Sequence, residues 1–327
     1  MKAVRFSTFG RACEVAELVD IPEPAPPGPG DILFQLEAAP VNPSDLLHFA
    51  GRYGEPLPLP SFAGAGVLGR VLQLGAGVSH LKAGDRVIVV NTDRAGWRER
   101  FVWPAAALAP LPAADPADLA LLAANPPTAL LMLETFAVLQ LGDWVIQNAA
   151  NSSVGVSLIQ IARAKGLRTV NVVRRPELVR ELQVFGPDVV LVDGPDLRDR
   201  MREAIGDGRI RLGIDAIAGE ATGRLASCVD EGGTVVNYGL LSGTACRIEP
   251  ADVLFRNVSL KGFWYMAWLR RSRAEDISSL FGRLVAMQRS GDLKVPVEAV
   301  YAVRDLNRAL EHAERPAKLG KVVVRWS

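Results

Sequence analysis

The stretch from Trp144 to Arg175, WVIQNAANSSVGVSLIQIARAKGLRTVNVVRR, constrains the fold more than any other part of the chain. It begins with an apolar run at Val145, passes through small polar residues, and continues with apolar side chains at helical intervals from Val156 to Ile161. Strand composition returns at Thr169–Val173. The pattern predicts a strand, a tight turn, a helix and a second strand, which is the repeating unit of a parallel α/β sheet.

The turn inside this stretch predicts a nucleotide site. Ala149, Ser152 and Gly155 are spaced three apart, where a dinucleotide-binding fold carries glycines that let the backbone approach a pyrophosphate at a helix N-terminus. Only Gly155 is a glycine, so an ordinary βα turn is the alternative interpretation. About 20 residues later an acidic side chain would bind the ribose of NAD, but this strand ends in Arg174 and Arg175, which suit a 2′-phosphate. The sequence therefore favours NADPH over NADH.

Composition excludes several classes of protein. The 327 residues suit two domains better than one core, and 37 Lys and Arg against 36 Asp and Glu indicate no affinity for nucleic acid or membranes. Cys13, Cys228 and Cys246 are scattered without metal-ligand spacing, which is typical of a reducing compartment. No apolar run reaches membrane-spanning length. These features predict a soluble cytoplasmic protein.

The two ends of the chain differ in pattern from its middle. Short alternating strands separated by proline and glycine turns predict a small β-barrel up to Leu111–Pro112, where the composition changes to an Ala/Leu-rich helix. We expect the prolines of Asn125–Thr128 to interrupt that helix before it resumes at Ala129–Leu139. Strands then alternate with helices, as in a doubly wound parallel sheet, and the tail strand Gly320–Trp326 is expected to return to the barrel.

Five motifs carry a resemblance to a known family: VNPSD at 41–45, GRYG at 51–54, QNAANSSVG at 147–155, LRTVNVVR at 167–174 and LKGFW at 260–264. With this order of elements the chain resembles the medium-chain dehydrogenase/reductase superfamily, in which a GroES-like barrel precedes a Rossmann domain. It looks most like the zinc-free 2-enoyl thioester reductases of the mitochondrial type, although VNPSD is shared with quinone oxidoreductases. The resemblance implies an α/β fold, with a GroES-like domain at 1–113 and 290–327 and a Rossmann domain at 114–289.

That family implies NADPH-dependent reduction of the C=C bond of a 2-enoyl thioester by a homodimer. A tyrosine in the GRYG-like segment lies near the nicotinamide and the substrate in the family, and Tyr53 occupies that position. A tyrosine, neutral with its ordinary pKa near 10, can donate a hydrogen bond or a proton to an enolate. The family also implies which residues would line the cofactor cleft. These are Asn125, Asn151, Ser152, Ser153, Val154, Arg174, Arg175, Tyr238, Gly239, Leu240, Leu241, Phe263, Trp264 and Lys321.

Zinc alcohol dehydrogenases share this fold, but their first cysteine and histidine ligands would fall near Asn42 and Gly64, neither of which can hold Zn²⁺. We therefore predict a metal-free enzyme. Three functions stay open: an enoyl thioester reductase, a quinone or other enone reductase with the same cofactor features, and a non-catalytic NADPH-binding protein. A loop tyrosine that only packs on the barrel is the alternative role for Tyr53.

Overall fold

The computed structural model describes residues 1–54, 57–90, 96–315 and 319–326. The chain folds into two compact units. The barrel unit comprises Met1–Ala124, Met266–Gln288 and Val295–Ser327, and the parallel-sheet unit comprises Asn125–Tyr265 and Arg289–Lys294. The domain bounds expected from the resemblance, 1–113 with 290–327 and 114–289, stay a prediction.

The barrel unit is built from short, mostly antiparallel strands. These are β1 (Lys2–Phe6), β2 (Glu17–Asp20), β3 (Asp31–Pro40), β4 (Ser61–Phe62), β5 (Gly66–Leu74), β6 (Arg86–Val90), β7 (Arg100–Pro104), β14 (Val297–Ala302) and β15 (Lys321–Arg325). One sheet has the order β2-β1-β4, a second has the order β14-β15-β3-β5-β6, and β7 pairs with β3. Because β15 pairs antiparallel with β3, placing Val324 opposite Ala39, the predicted return of the tail strand is confirmed.

Among the described residues, the α-helices that lie wholly within the barrel unit are α1 (Ala12–Val15), α2 (Pro43–Phe49), α3 (Pro116–Ala120) and α12 (Leu306–Glu314). Aromatic side chains fill its core, with Phe6, Phe34, Phe49 and Trp97 fully buried. Burial of these large apolar surfaces supplies most of the driving force for folding of the unit.

The parallel-sheet unit has six strands, all parallel. They are β8 (Trp144–Gln147), β9 (Arg168–Val173), β10 (Val189–Val192), β11 (Ile210–Asp215), β12 (Thr234–Asn237) and β13 (Ser259–Gly262). Their spatial order is β10-β9-β8-β11-β12-β13, so the direction of winding reverses between β8 and β11. This is the Rossmann order, and ligands of such sheets bind at the carboxyl ends of the strands near the reversal. The predicted α/β class, with a unit of short, mostly antiparallel strands and a doubly wound parallel sheet, is confirmed.

The helices of this unit are α4 (Asn125–Thr135), α5 (Ser153–Ala164), α6 (Glu177–Glu181), α7 (Leu197–Ile205), α8 (Glu220–Cys228) and α9 (Pro250–Arg256). Two further helices, α10 (Tyr265–Arg271) and α11 (Ala274–Ser290), each contain residues of both units. No helix in the described part of the chain is both long and apolar enough to cross a membrane.

The expected interruption of the helix at Asn125–Thr128 is wrong in position, because α3 ends at Ala120 and α4 runs from Asn125 to Thr135 rather than from Ala129 to Leu139. Helix α4 begins at Asn125, and its two prolines lie in the first turn. The first N–H groups of a helix have no intrahelical acceptor, so a proline there loses no hydrogen bond and its fixed φ already suits the helix.

Candidate active site

The turn between β8 and α5 keeps the backbone of a glycine-rich turn with few glycines. Ala149 has φ 47°, a left-handed conformation that glycine adopts without strain. Ser152 is the N-cap of α5, and its hydroxyl accepts a hydrogen bond from the N–H of Gly155 at 3.1 Å. A three-turn helix therefore begins directly after the turn, with the remaining N–H groups of its first turn oriented as an anion site requires.

Gly155 leaves no room for a side chain. An added Cβ would lie 2.5 Å from the carbonyl oxygen of Ala150, well inside any real carbon–oxygen contact. The buried Gln147 amide also donates to the Gly155 carbonyl at 3.0 Å and to the Asn171 side chain at 2.7 Å. The first turn of α5 is thus held against β8 and β9. This fits the glycine that allows close packing of helix and strand in a dinucleotide fold.

A buried carboxylate braces the carboxyl ends of β8, β11 and β12. Asp215 is fully buried at the end of β11 and accepts five hydrogen bonds. The donors are the Asn148 amide at 2.6 Å, the Ile217 and Ala218 N–H groups at 2.9 and 3.1 Å, the Thr222 hydroxyl at 2.6 Å and the Asn237 amide at 3.1 Å. Because each donor compensates for lost hydration, the charge is tolerated in the interior.

Sequence reasoning missed this cluster, although a signal was present. Asn148, Asp215 and Asn237 each occur at or just after the end of an apolar strand, and the carboxyl ends of parallel strands meet at one edge of the sheet. The Asn148 side-chain oxygen also accepts the Ala216 N–H at 2.8 Å, so the cluster joins the turn before α5 to the turn after β11. It fixes the edge of the sheet on which the turn between β8 and α5 lies; we call this turn, residues 148–152, the nucleotide turn after the ligand predicted for it.

The two arginines predicted to bind a 2′-phosphate differ in their surroundings. Arg175 is half-buried and its guanidinium lies 3.3 Å from the Glu177 carboxylate. Arg174 is exposed at the end of β9 and makes no ion pair with any residue that the structure describes. Of the two, Arg174 is therefore the cation whose charge is not already balanced by a neighbouring carboxylate.

Other residues predicted to line the cofactor site divide between the two units. In the parallel-sheet unit, burial raises the pKa of the Tyr238 hydroxyl above its ordinary value, although the Ser152 side chain acts in the opposite direction. An added Cβ on Gly239 would lie 2.4 Å from the Ala216 carbonyl oxygen, so only glycine fits there. Thus Ser152, Tyr238 and Gly239 share one edge of the sheet.

The remaining predicted residues of this unit have varied surroundings. Asn151 and Ser152 are half-buried, while Asn125, Ser153 and Val154 are buried. Leu240 and Leu241 are exposed after β12. Phe263 packs edge-on against Phe136, with ring centroids 5.9 Å apart, and Trp264 is partly exposed. Asn125 lies at the start of α4, and Phe263 and Trp264 follow β13 directly.

In the barrel unit, Tyr53 follows a helix whose C-terminus is capped by main-chain hydrogen bonds. At the C-terminus of α2 the Gly51 N–H donates to the His48 carbonyl at 3.0 Å and the Arg52 N–H to the Leu47 carbonyl at 2.8 Å. With Gly51 at φ 66°, these bonds form a Schellman motif. An added Cβ on Gly51 would also lie 2.8 Å from the Phe9 ring. Gly51, the first glycine of GRYG, therefore ends the helix, and Tyr53 lies two residues after it.

A second buried carboxylate lies at the other end of α2. Asp45 is 1% exposed and accepts the Asn42 N–H at 2.7 Å, as in a capping box, and the Ala65 N–H at 3.2 Å. Burial raises the pKa of this carboxyl to about 6, although these two N–H groups and the charge of Lys321 act in the opposite direction. Lys321, a predicted cofactor residue, is itself buried and within electrostatic reach of Asp45.

The structure also explains why Gly64 cannot carry a metal ligand. A Cβ at this position would lie 2.0 Å from Cδ1 of the buried Trp97, and the backbone has φ 90°. Among the described residues no group of three His, Cys, Asp or Glu side chains is placed to hold a metal ion. Metal independence stays a prediction.

Comparison with known proteins identifies the family. Residues 28–113 match the alcohol dehydrogenase GroES-like domain, and residues 153–282 match the zinc-binding dehydrogenase domain. The mitochondrial enoyl-[acyl-carrier-protein] reductase of Rattus norvegicus is 33% identical over 322 residues, which cover 97% of this chain and 86% of the rat protein. The chain belongs to the medium-chain dehydrogenase/reductase superfamily, in its enoyl thioester reductase branch.

Two mycobacterial structures show the fold of this reductase over its full length. One, complexed with NADPH, is 27% identical with a TM-score of 0.87, and each chain is covered completely. The other, a quinone oxidoreductase, is 26% identical with the same TM-score and coverage. The predictions of family and of an oxidoreductase are confirmed, whereas the assignment of individual site residues stays a prediction.

Proposed function

We propose that this reductase uses NADPH to reduce the carbon–carbon double bond of a 2-enoyl thioester. The observation that carries the proposal is the position of Tyr53. This tyrosine lies just after the Schellman motif that ends α2, in a chain of the enoyl thioester reductase branch. The similar proteins of rat and human carry the name enoyl-[acyl-carrier-protein] reductase, and this name supports a 2-enoyl thioester as the substrate.

The residues of the nucleotide turn suit NADPH. The N-terminus of α5, capped by Ser152, provides main-chain N–H groups and a helix dipole for a pyrophosphate. Arg174 provides a guanidinium for the 2′-phosphate that NADH lacks. Gly155 and Gly239 hold the turns close to the sheet, where side chains would not fit. The mycobacterial relative with NADPH bound supports the same cofactor.

Conjugate reduction needs a hydride at the β-carbon, a group that stabilises charge on the thioester oxygen, and a proton for the α-carbon. NADPH, when bound, supplies the hydride. The hydroxyl of Tyr53 donates a hydrogen bond to the developing enolate oxygen or delivers the proton, as a neutral phenol can do at pH 7. The two hydrogen bonds that end α2 fix the main chain as far as Arg52, so the backbone that carries Tyr53 starts from a defined position.

A substrate panel tests the function. The purified protein is mixed with NADPH and, separately, with a 2-enoyl-CoA, a 2-enoyl-acyl-carrier protein and a quinone, while absorbance of NADPH is followed. Oxidation of NADPH by an enoyl thioester supports the proposal. Turnover of the quinone alone would favour a quinone reductase, the second candidate, which the mycobacterial quinone oxidoreductase supports. Tight NADPH binding without turnover of any substrate would indicate a non-catalytic NADPH-binding protein.

Cofactor preference is predicted to depend on Arg174. Charge-assisted hydrogen bonds of this kind contribute about 1.5–3 kcal/mol, so Arg174→Ala should raise the Kd of NADPH about 10- to 100-fold. The Kd of NADH should stay nearly unchanged. Arg175→Ala is the matched control, with a smaller effect because Glu177 already pairs with that guanidinium. Equal affinity of the unaltered protein for NADH and NADPH would contradict the role of Arg174.

We propose that the protein is a homodimer in the cytoplasm. Strand β13 lies at an edge of the described parallel sheet, and the adjacent α9 exposes Leu254 and Phe255. An open strand edge beside exposed apolar side chains is a surface suited to pairing with a second copy. Light scattering of the purified protein checks the stoichiometry, and a monomer at micromolar concentration would contradict the dimer. Localisation of a tagged copy checks the compartment.

A further inference from the structure

The structure places a histidine beside the tyrosine proposed to act in proton delivery. His48, in the last turn of α2, is 8% exposed. Its ring and that of Tyr53 meet edge to face, with centroids 4.6 Å apart and planes at 88°. This is a favoured arrangement of aromatic rings, in which the positive edge of one ring meets the negative face of the other.

The backbone of the Tyr53 turn does not by itself orient the phenol. The Schellman motif fixes the chain as far as Arg52, and Tyr53 itself is only half-buried. Side chains at partly exposed positions interconvert among staggered rotamers on a picosecond to nanosecond timescale. A phenol that must deliver a hydrogen bond to one atom therefore needs a neighbouring group that selects one of these rotamers.

His48 is held well enough to be that group. Its helix is anchored at the N-terminus through Asp45, whose carboxylate accepts the Ala65 N–H at 3.2 Å, and at the C-terminus through Phe49, whose carbonyl accepts the Gly10 N–H at 2.9 Å. The imidazole is buried on this anchored helix, so the face or edge that it presents to Tyr53 is set by the fold.

We propose that His48 is a positioning residue that holds the Tyr53 ring in the orientation in which its hydroxyl acts on the substrate. This inference rests on the proposed function for the consequence in catalysis, although the ring contact itself does not depend on it. His48 does not touch the reacting atoms in this proposal. Its loss lowers turnover by letting the hydroxyl leave its productive position, and such misplacement reduces rates on the order of 10- to 100-fold.

A double-mutant cycle with a ring-preserving control tests the catalytic part. His48→Ala removes the ring, and His48→Phe keeps an aromatic ring of similar size. We expect His48→Ala to lower kcat about 10-fold, with the KM and Kd of NADPH nearly unchanged, and His48→Phe to restore most of the loss. In a Tyr53→Phe background, His48→Ala should lower kcat much less, because the hydroxyl to be positioned is gone. An unchanged kcat in His48→Ala, or an equal loss in both backgrounds, would overturn the proposal.

A spectroscopic measurement tests the contact without any activity. The chain has three histidines, so the ring signals of ¹⁵N-histidine-labelled protein can be assigned with the His48→Phe variant. The chemical shift of the His48 ring protons should change in Tyr53→Leu, because that substitution removes the neighbouring ring current. It should be nearly unchanged in Tyr53→Phe, because that substitution keeps an aromatic ring at residue 53. A resonance that is the same in all three proteins overturns the proposal even where His48→Ala fails to fold. If the contact is present but no enoyl thioester is turned over, the proposed function fails instead.

Discussion

The turn after β8 and the turn after α2 both present groups proposed to act on ligands, but the two are held in different ways. Around Gly155 the contacts are main-chain atoms and a buried amide network, and the groups offered to a ligand are backbone N–H groups. Near Tyr53 a helix cap fixes the backbone as far as Arg52, and the Tyr53 ring, whose hydroxyl is proposed to act on the substrate, contacts the ring of His48. We therefore expect that an added side-chain atom at Gly155 lowers stability and cofactor affinity. At Tyr53 we expect turnover to depend on a single functional group, the hydroxyl.

The largest effect is expected from Gly155→Ala. The new Cβ would meet the Ala150 carbonyl, so the turn or the start of α5 must shift. We expect the free energy of unfolding to fall by about 1–3 kcal/mol and NADPH affinity to fall on the order of 100-fold. Gly282→Ala is the matched control, because that glycine is inside α11 with open space at its Cβ position and no positive φ. NADPH titration and denaturant unfolding check both variants, and equal behaviour of the two would contradict the close packing at Gly155.

The second turn is tested by removing one oxygen. Tyr53→Phe should lower turnover of the best enoyl thioester by roughly 100-fold, since general-acid groups commonly contribute that much. The Kd of NADPH should stay nearly unchanged. Tyr301→Phe is the control, because its hydroxyl bonds Nδ1 of His312 instead, at 2.9 Å, and turnover should not change. Full turnover of Tyr53→Phe at saturating NADPH would show that Tyr53 only packs on the barrel.

The two turns also lie near two buried carboxylates, Asp215 and Asp45, which differ in their hydrogen-bond donors. The pH dependence of the free energy of unfolding tests the environment of Asp45. Asp215 has five donors, whereas Asp45 has two main-chain donors and the charge of Lys321, and its pKa is raised to about 6. A carboxyl whose folded-state pKa is raised contributes stability below its unfolded pKa and loses it as pH rises through the folded value. Between about pH 4.5 and 7, the unaltered protein should therefore lose about 2 kcal/mol of unfolding free energy relative to Asp45→Asn.

Denaturant unfolding of both proteins without NADPH, across that pH range, measures the difference. Asp115→Asn is the control, because Arg325 lowers the pKa of Asp115 and its effect on stability should therefore stay constant across this range and change only at lower pH. Its contribution to stability is present above the unfolded pKa and is lost as pH falls. A difference between the unaltered protein and Asp45→Asn that does not vary with pH would mean that Asp45 ionises as an ordinary carboxyl.

The smallest effect is expected at the start of the nucleotide turn. Ala149 has φ 47°, where an alanine is strained by about 1 kcal/mol and a glycine is not. Ala149→Gly should therefore raise the free energy of unfolding by about 0.5–1 kcal/mol and leave NADPH affinity unchanged. Ala204→Gly, at an exposed position in α7, is the control and should lower stability by a similar amount. Loss of stability in both variants would mean that the backbone at residue 149 is not strained.

Much of the fold followed from local pattern. Periodicity identified β8, α5 and β9, and the tail strand was expected to join the barrel, as β15 does. The start of α4 was misjudged because proline was treated as a helix breaker, although the first turn of a helix accepts it. For the site, the sequence indicated the nucleotide turn, Arg174 and Tyr53, but not Asp215, Asp45 or His48.

By itself the sequence determined the order of elements, the class of the fold and the residue types available for chemistry, because these depend on spacing along the chain. Only the tertiary structure decided which of those groups meet. Asp215 accepts hydrogen bonds from residues at the ends of β8, β11 and β12 and from Thr222 in α8. His48 contacts Tyr53 because the Schellman motif at Gly51 turns the chain at the end of α2. Similarly, Arg175 is paired with Glu177 while Arg174 has no ion-pair partner among the described residues. Burial, hydrogen bonding and charge pairing depend on distances in space, and residue spacing along a chain does not specify those distances.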